Sequence, residues 1–281
     1  MSETLGNDPF SGTVFVFRSK RTDRVKILVW DGSGLVLYWK RPVPDAALAD
    51  AEHALRDARE IGQAATLMLA LFHASLIHIH CGNYATANAV VDELIALADE
   101  KGSLFWKAYC TSMQGCLFAL TGKASDAVQT INAGIAACRS TGASVLTPLS
   151  LSYLAKAYAE LGQFDDAWRC IGESSMAVDT TKEKWGEADI HRTAGQIVLR
   201  SSERDATTAQ KYFERALDVA RVQQAKSWEL RAAMSLARLW RDQGKPQQAR
   251  ELLAPVYGWF TEGFDTRDLK EAKALLEELA A

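Results

Sequence analysis

The chain lacks several features that would assign it to a specialised class of protein. Only six of its 281 residues are proline, which excludes a collagen-like or linker-dominated chain. The longest nearly apolar run, residues 67–81, contains three histidines and is shorter than the roughly 20 apolar residues of a bilayer-spanning helix. The net charge is −3, so no global basic field attracts nucleic acid or a membrane. The composition, 48% hydrophobic and 24% charged, is that of a soluble globular protein.

Cysteine is also scarce, and its spacing excludes the common metal and redox motifs. No two of the five cysteines form a C-x-x-C pair; they are Cys81, Cys110, Cys116, Cys138 and Cys170. An odd number of widely spaced cysteines favours free thiols in a reducing compartment. Residues 1–9 are polar and acidic, unlike a secretory signal peptide. These features predict a cytoplasmic protein.

The residues before position 43 have the pattern of strands. β-branched and aromatic residues form three short runs, at residues 14–17, 25–30 and 35–39. The second and third runs are separated by the sequence DGSG at residues 31–34, which favours a hairpin turn because glycine adopts positive φ without steric cost. The sequence therefore predicts a strand-rich segment at residues 1–42 that forms a small antiparallel β-meander.

Helical periodicity begins after the two prolines at residues 42 and 44, and glycine then recurs at fixed intervals. Six glycines lie twenty residues apart: Gly62, Gly82, Gly102, Gly122, Gly142 and Gly162. Glycine just after a helix relieves the left-handed strain that ends it. Each twenty-residue step therefore predicts one helix and a turn, and each forty residues predict a helical hairpin in an α-solenoid.

The interior of the hairpins repeats a small residue, a large residue three positions later and an alanine nine positions after that. Two clear copies are Gly115, Phe118, Ala127 and Ala155, Tyr158, Ala167. This pattern resembles the tetratricopeptide repeat (TPR), with a period longer than the usual 34 residues. The predicted fold class is mainly α: a TPR-like solenoid of about five hairpins over residues 46–281, ending in a capping helix, plus the N-terminal β-meander.

The C-terminal residues carry a second resemblance. The sequences WRDQGK at residues 240–245, ARELLAPVYGWFTEGF at 249–264 and DLKEA at 268–272 resemble the end of bacterial multidomain proteins similar to class III adenylate cyclases. Those proteins have a cyclase domain, a predicted ATPase domain and a C-terminal TPR-like array. The resemblance covers residues 46–281 and implies a detached regulatory arm of a cyclase-like signalling protein.

Residues 7–41 resemble a different family. The sequences DPFSG and VFVFR within residues 8–18, VKIL at 25–28 and WDG at 30–32 are similar to the TnpB accessory protein of the IS-sixty-six insertion-sequence family. Intact relatives are implied to assist transposition. The chain is thus predicted to be a hybrid, with its junction near residues 42–46.

No set of catalytic residues can be assembled from the sequence. Gly122-Lys123 lacks the preceding glycine and the following Ser or Thr of a phosphate loop, and the chain before the array is too short for a cyclase domain. We therefore expect no enzyme activity, no catalytic residue and no cofactor. A group of titratable residues later in the chain, Glu187, Asp189 and His191, is interpreted as a solvated helix face.

A histidine-rich stretch raises the question of a metal site. It comprises His73, His78, His80 and Cys81. Zinc requires about four convergent ligands, and only two of these histidines share a helix face. We interpret them as residues of the seam and groove of a TPR-like helix, so no metal is expected.

A partner-binding groove is predicted on the concave face, which the first helices of TPR hairpins line. Inward positions map to Phe72, Leu76, His80, Tyr109, Lys156, Arg192, Gln196, Arg200, Arg231, Arg238 and Arg241. This surface runs from apolar to basic and predicts a protein or peptide partner with acidic character. The alternative is that the arginines pair with neighbouring Glu and Asp. The leading functional prediction is a non-catalytic TPR-like protein–protein interaction scaffold.

The rival prediction is a DNA-associated accessory protein of insertion-sequence transposition. Five basic residues cluster within nine positions of the N-terminal segment: Arg18, Lys20, Arg21, Arg24 and Lys26. Such a tip could contact phosphates of nucleic acid, and the alternative is a solvated charged loop.

The first helix of the array is predicted to lack a neighbour, because it ends in phase with the second helix of later hairpins. Its apolar stripe includes Leu48, Ala51, Leu55 and Ile61. Solenoid ends need a polar cap, so this edge predicts a homodimer formed edge to edge. The alternative is that residues 12–41 cover the stripe.

Overall fold

The computed structural model describes residues 44–280 fully and the backbone of three shorter stretches before them. These stretches are β1 (Phe15–Arg18), β2 (Val25–Trp30) and β3 (Leu35–Lys40), which are paired antiparallel in that order. Their register places Ile27 opposite both Val16 and Tyr38.

The fold-class prediction needs correction at this end of the chain. It included a small N-terminal β-meander, which is not supported as part of the fold; the architecture is a TPR-like helical solenoid. All four hydrophobic clusters in the described part of the chain lie within residues 51–279. Alternating β-prone residues indicate local extended backbone, but they do not show that a segment builds a hydrophobic core of its own.

Twelve helices make up residues 44–280, and their bounds follow the predicted twenty-residue rhythm. They are α1 (Pro44–Ile61), α2 (Ala64–His80), α3 (Tyr84–Glu100), α4 (Leu104–Leu120), α5 (Ala124–Ser140), α6 (Thr147–Glu160), α7 (Phe164–Thr181), α8 (Glu187–Arg200), α9 (Ala206–Val222), α10 (Lys226–Asp242), α11 (Pro246–Tyr257) and α12 (Arg267–Glu278). None of these twelve is both long and apolar enough to cross a membrane.

Five antiparallel hairpins run from α2–α3 to α10–α11, with α1 before them and α12 after them. The first helices of the hairpins (α2, α4, α6, α8 and α10) contact one another in sequence, and α12 continues this layer by packing against α10 and α11. These six helices therefore form the inner layer of a superhelix. The second helix of each hairpin lies outside it.

Small residues allow the two helices of a hairpin to approach closely. A Cβ atom added to Gly115 of α4 would lie 2.6 Å from the Ile131 side chain, and one added to Gly195 of α8 would lie 2.5 Å from the Phe213 ring. Both distances are shorter than any ordinary carbon–carbon contact. The small position of the predicted repeat is thus required by the packing of α4 on α5 and of α8 on α9.

The turns between helices recur at regular intervals even where no glycine is present. Gly162 and Gly244 have positive φ, as the spacing predicts for all the glycines in the series. Three residues between them take the same left-handed conformation without being glycine: Lys182, Arg204 and Gln224. Helix-and-turn steps of about twenty residues therefore continue through this stretch without glycine at the turns.

The two ends of the array meet. The Ala46 backbone N–H donates a 3.0 Å hydrogen bond to Glu262 Oε1, and the Gly263 N–H donates a 2.8 Å bond to Asp45 Oδ2. Gly263 also has no room for a side chain, because a Cβ atom there would lie 2.8 Å from Pro44 Cγ. The start of α1 is therefore held against the loop before α12, and the superhelix closes on itself.

The apolar stripe of α1 is covered rather than open. Ala51 and Leu55 are buried in a cluster with residues of α2, and Leu48 is half-buried. Only Ile61, at the end of the helix, remains exposed. Most of the exposed apolar surface on which the homodimer prediction depended is therefore absent. The homodimer itself stays a prediction.

Candidate functional site

The inner face of the superhelix is the surface that the predicted groove residues share. Hydroxyl pairs fix the register of its helices. Ser112 of α4 lies 2.9 Å from Ser150 of α6, and Ser152 of α6 donates a 3.2 Å bond to Thr193 of α8. These bonds hold α4, α6 and α8 in a fixed register, so residues at equivalent positions of the three helices lie side by side across the inner face.

Arg231 stands at the centre of the closed end of this face. Its Nε donates a 2.6 Å bond to Asp268 of α12, and its Nη2 donates a 2.6 Å bond to the His80 carbonyl at the end of α2. The guanidinium also lies 4.8 Å from the centre of the Trp228 ring. One side chain thus joins the first hairpin to the last helix.

Two tryptophans fill the remaining space at this end. The His80 ring lies edge-on to Trp185 and Trp228, at centroid distances of 5.6 and 5.3 Å. Trp185 precedes α8 and also donates a 2.7 Å bond from Nε1 to Glu183. The sequence prediction included His80 but missed both tryptophans, because neither lies at the repeat positions used to map the groove. Their signal was only that large aromatic residues occur near the starts of two inner helices.

Asp189 is buried beside these groups, which corrects its interpretation as part of a solvated helix face. It is only 2% exposed and lies 2.6 Å from Arg192. Burial alone would raise the pKa of the Asp189 carboxyl, but Arg192 and Arg231 outweigh it and hold this pKa below its ordinary value. Helical periodicity had placed Asp189 on a polar face, without showing that this face points into a closed interior.

A second set of inner residues remains accessible, and we call it the charged strip. It consists of Lys156, Gln196, Arg200, Arg238 and Arg241 at the C-terminal halves of α6, α8 and α10. Burial lowers the pKa of Lys156, although the nearby Glu160 acts against this. Gln196 is half-buried.

Each arginine of the charged strip faces a carboxylate on a neighbouring helix. Arg200 lies 3.6 Å from Glu160 and Arg238 lies 2.9 Å from Glu271, while Arg241 lies 2.6 Å from Glu278. The side chains of these arginines are 50%, 40% and 39% exposed. This pairing is the alternative that the sequence left open, and it also holds for Arg192 and Arg231.

The apolar end of the predicted groove requires correction. Phe72 and Tyr109 are buried, with ring centroids 5.5 Å apart, and belong to the core. Leu76 is half-buried against the same cluster. Apolar residues of α2 and α4 occur all round the helix, so their periodicity could not distinguish a core position from a groove position.

The structure describes the histidine-rich stretch but not most of the predicted nucleic-acid contact. His78 and Cys81 are buried side chains of α2 and its end, and no group of three or more possible metal ligands occurs within residues 44–280. The predicted nucleic-acid contact lies outside the described residues: Lys20, Arg21 and Arg24 entirely, and Arg18 and Lys26 except for their backbone.

Comparison with known proteins finds similarities to two parts of the chain, the N-terminal segment and the helical array. The family described as IS66 Orf2 like protein matches residues 1–61, about a fifth of the chain. An uncharacterized protein, y4jC, from Sinorhizobium fredii (strain NBRC 101917 / NGR234) is 46% identical over 50 residues, or 15% of this chain and 43% of that protein. The resemblance to the insertion-sequence family is thus confirmed, and the family match extends through α1, past the predicted junction.

Solved structures match the helical part. The apo form of RapI is 14% identical, with a TM-score of 0.58 over 84% of this chain and 78% of that chain. BtubC (BKLC) from P. vanneervenii is 16% identical, with a TM-score of 0.52 over 83% and 92%. A kinesin light chain TPR-like repeat structure from Podosopora anserina is 16% identical, with a TM-score of 0.46 over 68% and 93%. The first two matches show the fold.

Proposed function

We propose that this chain is a non-catalytic interaction scaffold that binds an extended segment of a protein partner across the charged strip. The observation that carries the proposal is that the inner face has one closed end and one accessible, charged part. One end is closed by Arg231, His80 and two tryptophans, whereas the strip remains accessible at the ends of three neighbouring helices. A partner that approaches the inner face can therefore reach the arginines of the strip, which are 39–50% exposed.

The ion pairs of the strip can be exchanged at low cost. Exposed pairs contribute about 0–1 kcal/mol each, since water and salt screen them and since two flexible side chains must be ordered. A guanidinium has five N–H donors, more than one carboxylate can use. An acidic side chain of a partner can therefore replace, or bind beside, Glu160, Glu271 or Glu278. Arg192 and Arg231 differ, because their pairs are buried, and we assign them a structural role.

Peptide display tests this function without a known partner. A random peptide library is selected on the full chain, and the enriched peptides are then measured against Arg200→Ala, Arg238→Ala. We expect a convergent acidic motif whose binding is roughly tenfold weaker to the double variant and weaker at high salt. Arg169→Ala is the matched control, because Arg169 forms exposed pairs with Asp166 and Glu173 on the outer layer. Equal binding to the double variant, or no convergent motif, would refute the proposal.

A further part of this proposal is that the array derives from the regulatory arm of a cyclase-like protein. It is supported only by the resemblance of residues 240–272 to the end of cyclase-like multidomain proteins. Gene context tests it: we expect a cyclase or ATPase coding fragment upstream. An intact insertion sequence with no such fragment would contradict this origin and leave the scaffold function unaffected.

A second candidate function, a DNA-associated role in transposition, is favoured by the match of the insertion-sequence family to residues 1–61. Electrophoretic mobility shifts with a random-sequence DNA duplex test it, using the full chain and the variant Arg21→Ala, Arg24→Ala. Binding that disappears in the variant and declines steeply with salt would support DNA contact. Absence of a shift at low salt would exclude it.

A further inference from the structure

A group of positive charges lies on the inner face where α6 packs against α8. It consists of Lys156 of α6 and of Arg192 and Arg200 of α8, and we call it the basic cluster. The guanidinium groups of Arg192 and Arg200 are among the charges that act most strongly on the Lys156 amine. Lys156 and Arg192 are half-buried, whereas half of the Arg200 side chain is exposed. Three cations are thus gathered between two neighbouring helices.

Nearby carboxylates compensate only part of this charge. Glu160 lies 3.6 Å from Arg200, and Asp189 lies 2.6 Å from Arg192. The same two carboxylates attract the Lys156 amine from a longer distance, without accepting a hydrogen bond from it. The basic cluster therefore combines three positive charges with two carboxylates. An excess of positive charge on a concave surface attracts an anion.

Both arginines of the basic cluster have donors to spare for such an anion. A guanidinium has five N–H groups. Arg192 directs its Nε and Nη2 groups to Asp189, and Arg200 approaches Glu160 only with Nη2. A phosphate group accepts several hydrogen bonds at once and matches the planar fork of a guanidinium. The basic cluster is therefore suited to a small ligand that carries a phosphate group.

The Lys156 amine gives the cluster a nucleophile beside these donors. Burial disfavours the charged form and lowers the pKa of Lys156, and the two arginines lower it further, although Glu160 acts against this. At neutral pH a larger share of this amine is therefore neutral than in an exposed lysine, and the neutral amine is the nucleophilic form. An electrophile whose phosphate is held by the arginines lies within reach of it.

We propose that Lys156 is a site of acylation by small acyl phosphates, whose phosphate group binds Arg192 and Arg200. The neutral amine attacks the carbonyl carbon and forms an amide bond. The bond between this carbon and the phosphate oxygen breaks, phosphate leaves with the bonding electron pair, and the amine proton passes to water. Acylation removes one positive charge from the charged strip and should weaken the binding of an acidic partner; this consequence alone rests on the proposed function.

Acetyl phosphate tests the site in the full chain at constant ionic strength. Mass spectrometry measures the initial acetylation rate of each lysine, with the exposed Lys211 and Lys245 as references. We expect Lys156 to react about tenfold faster than either reference. With the uncharged N-hydroxysuccinimide ester of acetate, which the arginines do not hold, this preference should fall to about twofold or less. A rate at Lys156 no higher than the references with acetyl phosphate, or the same preference with both reagents, would refute the proposal.

Two variants and a competitor test the role of the arginines. Arg200→Ala should slow the reaction of Lys156 with acetyl phosphate about fivefold. The matched control is Arg169→Ala, which removes an exposed arginine of the outer layer and should leave this rate unchanged. Inorganic phosphate should slow Lys156 but not Lys211, and it examines the same anion site in the unaltered chain if the first variant folds poorly.

Two outcomes would contradict this role of the arginines. One is an equal rate at Lys156 in both variants, and the other is a lack of competition by phosphate. None of these rates depends on a peptide bound to the charged strip. The proposed function can therefore fail while Lys156 is still acylated, and the reverse also holds.

Discussion

Replacing Arg231 with methionine should open the closed end of the superhelix. Methionine keeps an unbranched side chain of similar length, but it removes both 2.6 Å hydrogen bonds, to Asp268 and to the His80 carbonyl. Removing one partner of a buried ion pair typically costs about 3–5 kcal/mol, because the other charge stays buried without compensation. Asp268 is 24% exposed, so water recovers part of this cost. We therefore expect a loss of about 3 kcal/mol, at the lower end of the range.

Urea unfolding followed by tryptophan fluorescence measures this loss, since Trp228 lies directly against the Arg231 guanidinium. A protein of this size would show a decrease in Tm of about 6–12 °C. Arg169→Met is the control, because it removes only exposed pairs and should cost less than about 1 kcal/mol. Hydrogen exchange should show the largest increase near Tyr84 and Arg267, where the two ends meet. A loss below about 1 kcal/mol for Arg231→Met, with no local opening, would refute the reasoning.

Three further predictions concern the turns, the histidines and the thiols. Lys182→Gly should stabilise the chain by about 0.5–1 kcal/mol in urea unfolding, since Lys182 has a φ of 61°, whereas Lys184→Gly should destabilise it. Burial lowers the pKa of His73, His78 and His191. The folded state therefore favours neutral imidazole, and stability should fall as pH decreases from 7 to 5; His191→Gln should reduce that slope, and an equal slope would contradict this assignment. All five cysteines are buried free thiols, so a thiol reagent should label them slowly before denaturation and fully after it.

The helical repeat could be predicted from the sequence because the glycines at its turns and close helix contacts act through local conformation and size. Gly162 and Gly244 mark turns by their own conformational freedom, and Gly115 marks a close approach by its lack of a side chain. Lys182 and Arg204 occupy equivalent turns, but nothing in a lysine or an arginine signals positive φ. There the packed helices on either side impose the conformation, so glycine spacing alone did not mark these turns.

The arrangement of the inner face was only partly predictable. Periodicity placed Arg231 and Arg200 on the inner layer, yet one closes the superhelix and the other stays half-exposed. That difference depends on the superhelical path, which brings His80 across to Arg231 over 151 residues of sequence. The predicted apolar groove was wrong at Phe72 and Tyr109 for a similar reason, since both lie where adjacent inner helices bury them.

The N-terminal segment shows the opposite limit. Its resemblance to the insertion-sequence family was visible in short, specific motifs, and the family match confirms it. The predicted β-meander is nevertheless not supported as part of the fold, because short β-prone runs indicate local extended backbone without showing that they build an independent layer.

The meeting of the two ends is the central claim, because it closes one end of the inner face and leaves the charged strip as the entry. Arg267 donates a 3.2 Å bond to the Tyr84 hydroxyl, although 183 positions separate them. The most direct test is the double variant Tyr84→Cys, Arg267→Cys, treated with a short bismaleimide at low protein concentration. The closed superhelix predicts an efficient crosslink within one chain, and little crosslinking in the control pair Tyr84→Cys, Gln163→Cys. Absence of the intramolecular crosslink in the first pair, or equal crosslinking in both, would contradict it.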